Sequence, residues 1–534
     1  QVFTSVFTKE NSTNIPNVAE IDYQFMEPID IQLEGIITAI NNLKLSSSCG
    51  VDGINSKVLK NTVTVTSKIL LHIFRQSLET GMIPSDWKLA KIIPIFKSGN
   101  KTSCENYRPI SLTCICCKIL EHIIASHIYR HLESNYFFFK NQHGFRKGFS
   151  CETQLFEFTT ELHANIDNNY QTDCVFLDYS KAFDRVAHCR LISKLSALKL
   201  YSRTLSWLRN FLSNRQQYTT VNSLSSSLSD VSSGVPQGSV LAPLLFLIFI
   251  NDLPQHVSSC IRVFADDCII YRPIKNSEDH LSLQNDLDVI NGWCSAWLMT
   301  LNVSKCKVMS FTRKPSISEF SYSINHSILS TATQYRYLGV ILTPNLSWSD
   351  HITAISASAS KSLGFLRRNL KAAPSGIRKL SYLTLVRPQL EYACSIWSPH
   401  QKYLIDSLER IQNRASRFIA NNYSPHSSIS QIKQELSLPL LNIRRDIALL
   451  LFFHKITHSS RITVTGLQKP YLTSRRLHNH LSYSRVYGST NAFNQSALPR
   501  AIRLWNSLPD DIASQTNFDT FRHILSSHFT CLSK

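Results

Sequence analysis

The sequence predicts an α/β or α+β core followed by a helical, basic C-terminal region, and three observations predict it. The chain has 534 residues, 43% apolar and 17% charged, which describes a folding chain too long for one ordinary core. Strand-like and helix-like patterns alternate to about residue 350 and become mostly helical beyond it. The charge is uneven: of a net +19, residues 351–534 hold 24 Lys or Arg against 8 Asp or Glu, whereas residues 1–350 hold 32 against 29. A basic last third favours a polyanionic partner held there.

Taken in order, residues 1–75 are mostly polar and read as a linker and N-terminal extension, with one helix signal in IQLEGIITAINNLKL. SKILLHIFRQSLET, residues 67–80, has helical apolar spacing and stops at Gly81. KLAKIIPIFK gives a short strand ending in Ser-Gly-Asn. ISLTCICCKILEHIIASHIYRHL reads as a long buried helix, with Cys114, Cys116 and Cys117 as small apolar residues, since no second pair at zinc-finger spacing follows. The scattered cysteines fit a reducing compartment. After a loop, NQHGFRKGFSCET, a helix runs from Thr153, and Cys174–Leu177 form a strand ending at Asp178. Val240–Ile250, VLAPLLFLIFI, is too short to span a bilayer and reads as a buried helix. A strand–Asp-Asp–strand unit follows, then a helix over DHLSLQNDLDVINGWCSAWL and strands at KVMSF and YRYLGVIL.

The chemistry starts at IRVFADDCIIY, where Asp266 and Asp267 interrupt an apolar run. Their neighbours favour strands and the pair favours a turn, so both sit at the bend of a β-hairpin. Unpaired, they would repel each other and resist desolvation; divalent cations remove both penalties. Asp178 ends another apolar strand, and side-by-side strands would bring it to Asp266, forming a cluster able to hold two Mg²⁺ ions. Asp184 reads as a cap or turn residue.

Supporting pieces surround this cluster. In SGVPQGSVLAPLLF, Gly234 and Gly238 permit close backbone approach to a ligand, and Gln237 offers an amide donor. Arg108, in a loop fixed by Pro109, is the best cation for a triphosphate, whereas Lys91 and Lys97 read as solvated. Arg146 and Lys147, flanked by Phe145 and Phe149, suit a strand backbone and its bases. Phe183 reads by default as a core residue; the alternative is a ring that packs under an incoming sugar and excludes a 2′-OH.

Together these pieces resemble the reverse transcriptase region of a non-LTR (LINE-type) retrotransposon polyprotein. The resemblance runs from about residue 83 to 340, through NYRPISLTCICCKILEHII, QHGFRKGFSCETQL, VFLDYSKAFDRVAH, SGVPQGSVLAPLLFLIFINDLP, FADD, LNVSKCKVMSF and YLGV. It implies a right-hand polymerase, α+β, with fingers and a palm over 76–343 (an antiparallel sheet plus helices) and a helical thumb with a basic C-terminal region over 344–534. It implies that Asp178, Asp266 and Asp267 are the metal triad and Phe183 the sugar-selecting ring. Gln237 and Gly238 match the nucleotide-positioning loop, Arg108 a triphosphate contact, and Lys305 a lysine near the pyrophosphate. Tyr337, Leu338 and Gly339 match the primer grip. VFTSVFTKE resembles the linker that follows an apurinic-type endonuclease, and Gln1 in place of Met suggests a piece of a longer product.

The implied cofactor is Mg²⁺, two ions per site, with Mn²⁺ as a substitute. The implied partners are an RNA template, a DNA primer or nicked target DNA, and dNTPs, with no membrane. Contact with chromosomal DNA points to the nucleus inside the cell, with the cytoplasm as the alternative. The alternative to an active enzyme is a degenerate copy of such an element. Trp397 and Trp505 read as thumb core.

Overall fold

A computed structural model describes residues 2–532 except 12–13, 20–21, 46–47, 460, 463–465 and 472–478. Its strands build two five-stranded sheets. In the first, β1 (Leu89–Phe96) pairs antiparallel with β2 (Tyr107–Leu112). The second begins with β3 (Gln171–Leu177). β4 (Arg215–Val221) then returns to the first sheet parallel to β1, and β5 (Leu224–Ser225) and β6 (Ser229–Val231) both pair with β4. β7 (Cys260–Phe264) and β8 (Asp267–Ile274) form a hairpin, and β9 (Lys307–Phe311) follows. β10 (Ser323–Ile324) and β11 (Ser327–Ile328) pair only with each other. β12 (Ser330–Thr331) completes the second sheet in the order β12-β9-β3-β8-β7. β13 (Tyr335–Tyr337) and β14 (Val340–Leu342) form a separate hairpin.

The second sheet is the palm, and it divides two cores by strand alternation, because successive side chains leave opposite faces. Val175 and Leu177 of β3, Cys268 and Ile270 of β8 and Val308 of β9 enter one core. Cys174 and Phe176, Ile269 and Tyr271, and Met309 and Phe311 enter the other. β3 is therefore buried at every position, as a central strand covered on both faces is. Helices Ile115–Ser134, His188–Ala197, Leu241–Ile250 and Ser277–Ala296 pack on the first face. On the second face lie helix Cys151–Asp167 and the thumb helices, among them Lys402–Ala420, Leu441–Thr457 and Ala497–Asn506. Trp397 and Trp505 are buried in that second core. This is the right-hand α+β architecture, with the β1–β2 sheet as fingers.

The sequence divisions need correction. Residue 75 lies inside helix Val63–Thr80, and Ile36, Ile40, Leu70 and Phe74 belong to the first core, so much of 1–75 is integral rather than a linker. The division at 343/344 separates no core, since the palm's second face is buried by the C-terminal helices. NYRPISL is strand β2, and the long helix begins only at Ile115. Cys114, at its N-cap, and Cys116 and Cys117 within it are buried, and burial pushes the first two thiols up to about 12 and about 11, leaving them protonated packing groups. Among the described residues, no helix is long and apolar enough to cross a membrane.

Candidate active site

The acids meet through sheet register. β3 and β8 pair with Leu177 opposite Cys268, so Asp178, one residue past β3, lies beside Asp267 at the start of β8. Asp266 occupies the two-residue turn Ala265–Asp266 between Phe264 and Asp267, which pair with each other. Ala265 has φ 56°, a left-handed conformation that costs a non-glycine residue about 1–2 kcal/mol.

The carboxylates feel one another. Burial raises the Asp266 pKa, and the charge of Asp178 adds to this, against its own backbone N–H and the charges of Arg108 and Lys97. Asp267 is pushed up to about 6, by burial, then by Asp266 and Asp178, with Lys97 and Arg108 opposing. One carboxylate oxygen of Asp178, Oδ2, is buried with no hydrogen-bond partner, and Lys305 Nζ stands 3.6 Å from it. The Asp178 backbone is fixed from both sides: its N–H meets Cys306 Sγ at 3.4 Å, and its carbonyl accepts from the Asn302 N–H at 2.7 Å.

Among the described residues, no three carboxylate, imidazole or thiol groups already close on one point as a metal cage. The donor set is instead an open, all-oxygen one, with one carboxylate oxygen that has no hydrogen-bond partner and with the pKa values of Asp266 and Asp267 raised. That chemistry fits hard divalent cations that keep positions for phosphate oxygens.

Around this corner the structure sorts the remaining sequence candidates. Arg108 is exposed and electrostatically close to the acids, but it stands in strand β2 opposite Ile95, so Pro109 fixes no loop. Lys97, read from sequence as solvated, acts on Asp266 and Asp267 just as Arg108 does. The signal for it was the β1–β2 hairpin, visible once NYRPISL is read as a strand. Phe183 is half-buried, its ring stacked on Phe246 at 4.4 Å, with Phe145 edge-on at 6.2 Å.

The 233–238 loop turns inward. A side chain at Gly234 would meet the Asp184 backbone at 2.7 Å, and one at Gly238 would meet the Ser111 carbonyl at 2.5 Å. The two glycines allow approach to protein rather than to a ligand. Gln237 donates its amide to Asp184 Oδ1 at 2.8 Å and accepts the Ser111 N–H on its backbone carbonyl. Asp184 is thus not a cap. It is a buried acid, its pKa raised by burial, that ties this loop to the Ala182–Arg185 turn.

Two further expectations fail. Arg146 is not presented to a nucleic acid: Nε and Nη2 donate to both Glu133 oxygens at 3.1 Å, and Nη1 donates to the Phe139 and Gln142 carbonyls. Its guanidinium also lies over the Phe138 and Phe149 rings. Lys147 stays exposed. Tyr337 is core: its ring packs on Phe158 and its hydroxyl accepts from Gln154 Nε2 at 3.1 Å. Leu338 and Gly339 form the turn of β13–β14, where Tyr392 of the thumb donates to the Leu338 carbonyl at 2.9 Å. What that hairpin sends to the acids is Tyr335, which sequence reasoning missed. It stacks on Phe176 at 3.9 Å, and its pKa is pushed up to about 12 by burial, then by Asp267 and Asp178.

Residues 97–342 match the family described as reverse transcriptase (RNA-dependent DNA polymerase), and that span holds the acid triad and every candidate cation near it. This region belongs to the reverse transcriptase family. The reverse transcriptase region has relatives in Drosophila melanogaster. The probable RNA-directed DNA polymerase from transposon BS is 31% identical over 418 residues, which is 75% of this chain and 46% of that protein. The RNA-directed DNA polymerase from mobile element jockey is 28% identical over 440 residues, covering 79% and 47%. The probable RNA-directed DNA polymerase from transposon X-element is 30% identical over 405 residues, covering 74% and 44%. The chain spans about half the length of these relatives.

Proposed function

We propose that this chain is an RNA-directed DNA polymerase that extends a DNA 3′-OH with dNTPs on an RNA template. In the intact element, nicked genomic DNA serves as primer, which places the work in the nucleus. The single observation that carries the reading is the corner of Asp178, Asp266 and Asp267, three acids on adjacent strand ends, of which Asp266 and Asp267 have raised pKa values and Asp178 has an oxygen with no hydrogen-bond partner. The names of the relatives support the RNA template and the DNA product.

Asp178 and Asp266 are the principal holders of Mg²⁺, or of Mn²⁺ in its place, with Asp267 beside them. Such ions lower the pKa of a bound hydroxyl and neutralise a departing pyrophosphate. Lys97, Arg108 and Lys305 supply positive charge for the triphosphate, Lys305 next to Asp178. Phe183, backed by Phe246, presents a flat face under the sugar. Gln237 acts through Asp184 in holding its loop. Lys147 and the C-terminal surplus of Lys and Arg meet the hybrid's phosphates, which makes binding salt-dependent.

The test is primer extension by the purified chain on RNA and DNA templates, with Mg²⁺ or Mn²⁺, beside Asp266→Asn. Synthesis on RNA by the native chain and its loss in the variant, with hybrid binding retained, is expected. A folded chain that makes no DNA with either ion is a degenerate copy. RNA binding that ignores both metal and dNTP makes it a binding module.

A further inference from the structure

The segment Asn141–Gly144 lies along the outer edge of the catalytic hairpin. Val263 donates its N–H to the Asn141 carbonyl at 3.1 Å, and His143 donates its N–H to the Val263 carbonyl at 3.1 Å. Asn141 Nδ2 donates to the Ile261 carbonyl at 3.2 Å. These bonds give β7 a partner on its open side. The next N–H along that side belongs to Ala265, inside the turn, and no backbone carbonyl receives it. It is taken by the side chain of Gln142, whose Oε1 accepts from Ala265 at 3.0 Å and from Gly144 at 2.9 Å. Gln142 is buried.

The contact is as close as backbones come. A side chain at Gly144 would stand 2.4 Å from the Ala265 nitrogen. Ala265 is also the residue held in the left-handed region, next to Asp266. A non-glycine residue keeps that conformation only where its surroundings over-determine it. Gln142 is itself anchored, because Arg146 Nη1 donates to its carbonyl at 3.2 Å. His143 Nδ1 stands 2.9 Å from Thr153 Oγ1 in the capping box of helix Cys151–Asp167.

We propose that Gln142 is a positioning residue for the carboxylate turn. Its amide oxygen holds Ala265 left-handed and thereby fixes Asp266 against Asp178. The inference rests on the polymerase reading of this corner. It also makes sense of Arg146, whose bonds hold the segment that holds the turn.

The test compares Gln142→Met, which keeps the volume and removes the acceptor, with Gln142→Glu, which keeps an oxygen for both N–H groups. Three readouts are taken on the full chain: hydrogen exchange of the amides over 264–268, Mn²⁺ binding without substrate, and kcat against dNTP KM. Gln142→Met is expected to speed exchange at 265, weaken Mn²⁺ binding and lower kcat about 10- to 100-fold, with hybrid binding nearly held and the melting temperature lowered modestly, because the Ala265 and Gly144 N–H groups lose their acceptor. Gln142→Glu is expected to restore slow exchange and most of kcat. Adding Ala265→Gly to Gln142→Met removes the left-handed penalty, and we expect it to recover part of the loss.

The proposal is overturned if Gln142→Met exchanges and binds Mn²⁺ as the native chain does. It is equally overturned if both variants lose stability and activity alike. Should Gln142→Met fail to fold, Gln142→Glu decides: fast exchange at 265 in a folded Gln142→Glu chain overturns it. Exchange and Mn²⁺ binding need no DNA synthesis, so failure of the polymerase reading shows separately, as a native chain that makes no DNA.

Discussion

Two tight turns in this molecule are built alike and surrounded differently. Ala265–Asp266 joins β7 to β8, and Leu338–Gly339 joins β13 to β14; each opens with a non-glycine residue at positive φ, 56° and 45°. Around the first, protein holds the backbone more closely than the carboxylates: Gln142 takes the Ala265 N–H, the pKa values of Asp266 and Asp267 are raised, and Asp178 Oδ2 has no hydrogen-bond partner, with Lys305 Nζ 3.6 Å away. Around the second, the side chains are committed as well. Tyr337 is bonded to Gln154 and packed in the core, and Tyr392 of the thumb holds the turn. Both turns stand in motifs that a sequence reader assigns to substrate. At the first turn a carboxylate oxygen lacks a hydrogen-bond partner, whereas at the second the tyrosine hydroxyl is already bonded, which fits a cation site at the first and a scaffold at the second.

The strongest way to break the contrast is at the acids. Asp178→Asn is expected to lower extension about 10³-fold with hybrid binding retained, because removing one carboxylate takes away electrostatic stabilisation specific to the reaction. Near-native extension would show that the orphaned oxygen has no part in the reaction. Next is Arg146, whose ion pair with Glu133 is largely buried. Arg146→Ala is expected to cost about 3 kcal/mol in denaturant unfolding, since Glu133 and two carbonyls lose their donor. Lys147→Ala should cost almost nothing. Equal and small losses would return Arg146 to the nucleic-acid surface.

Phe183→Val is expected to reduce discrimination against ribonucleotides roughly 10- to 100-fold, measured as the ratio of kcat/KM values. Unchanged discrimination would make Phe183 a packing residue under Phe246 and nothing more. Tyr337→Phe sharpens the second turn: it removes one buried hydrogen bond, about 1 kcal/mol of stability, and should leave the extension rate unchanged. A slow enzyme of normal stability would restore Tyr337 to the primer grip.

The smallest effect is a pH effect. Asp267 has a folded pKa of about 6 against an unfolded value of about 3.9. Between those values the folded chain binds more protons than the unfolded one, so stability falls as pH rises through the window. In the absence of divalent cations, Asp267→Asn should therefore raise the melting temperature slightly at pH 7, with no gain below about pH 4. The gain is small because Asp267, although crowded within this corner, keeps part of its surface in solvent, which screens the repulsion. A gain that grew toward low pH would mean the carboxylate is stabilised in the fold. Mn²⁺ binding without substrate should weaken as pH drops through about 6, where the metal-free acid takes up its proton.

Much of the site was legible because local rules decide it. Apolar alternation ending in an acid marks β3 and Asp178, and two acids between apolar strands mark the β7–β8 turn. The first β1–β2 hairpin was missed because NYRPISL runs into an apolar helix with no turn signal between them, and Lys97 was undervalued with it. Arg146, Gln237 and Tyr337 were misjudged for another reason. Each has the chemistry of a ligand contact, and each gives its polar group to a partner remote in sequence or set by a loop: Glu133, Asp184 and Gln154.

The sequence by itself determined most of the elements, the α+β class, which acids end apolar strands and the family resemblance, because periodicity, turn chemistry and motif order are written in consecutive residues. Only the tertiary structure decided which of their polar groups are already taken by protein partners. A buried hydrogen bond or ion pair needs a partner at a few ångströms, and chain folding brings that partner from tens to hundreds of residues away, as it brings Gln142 to Ala265.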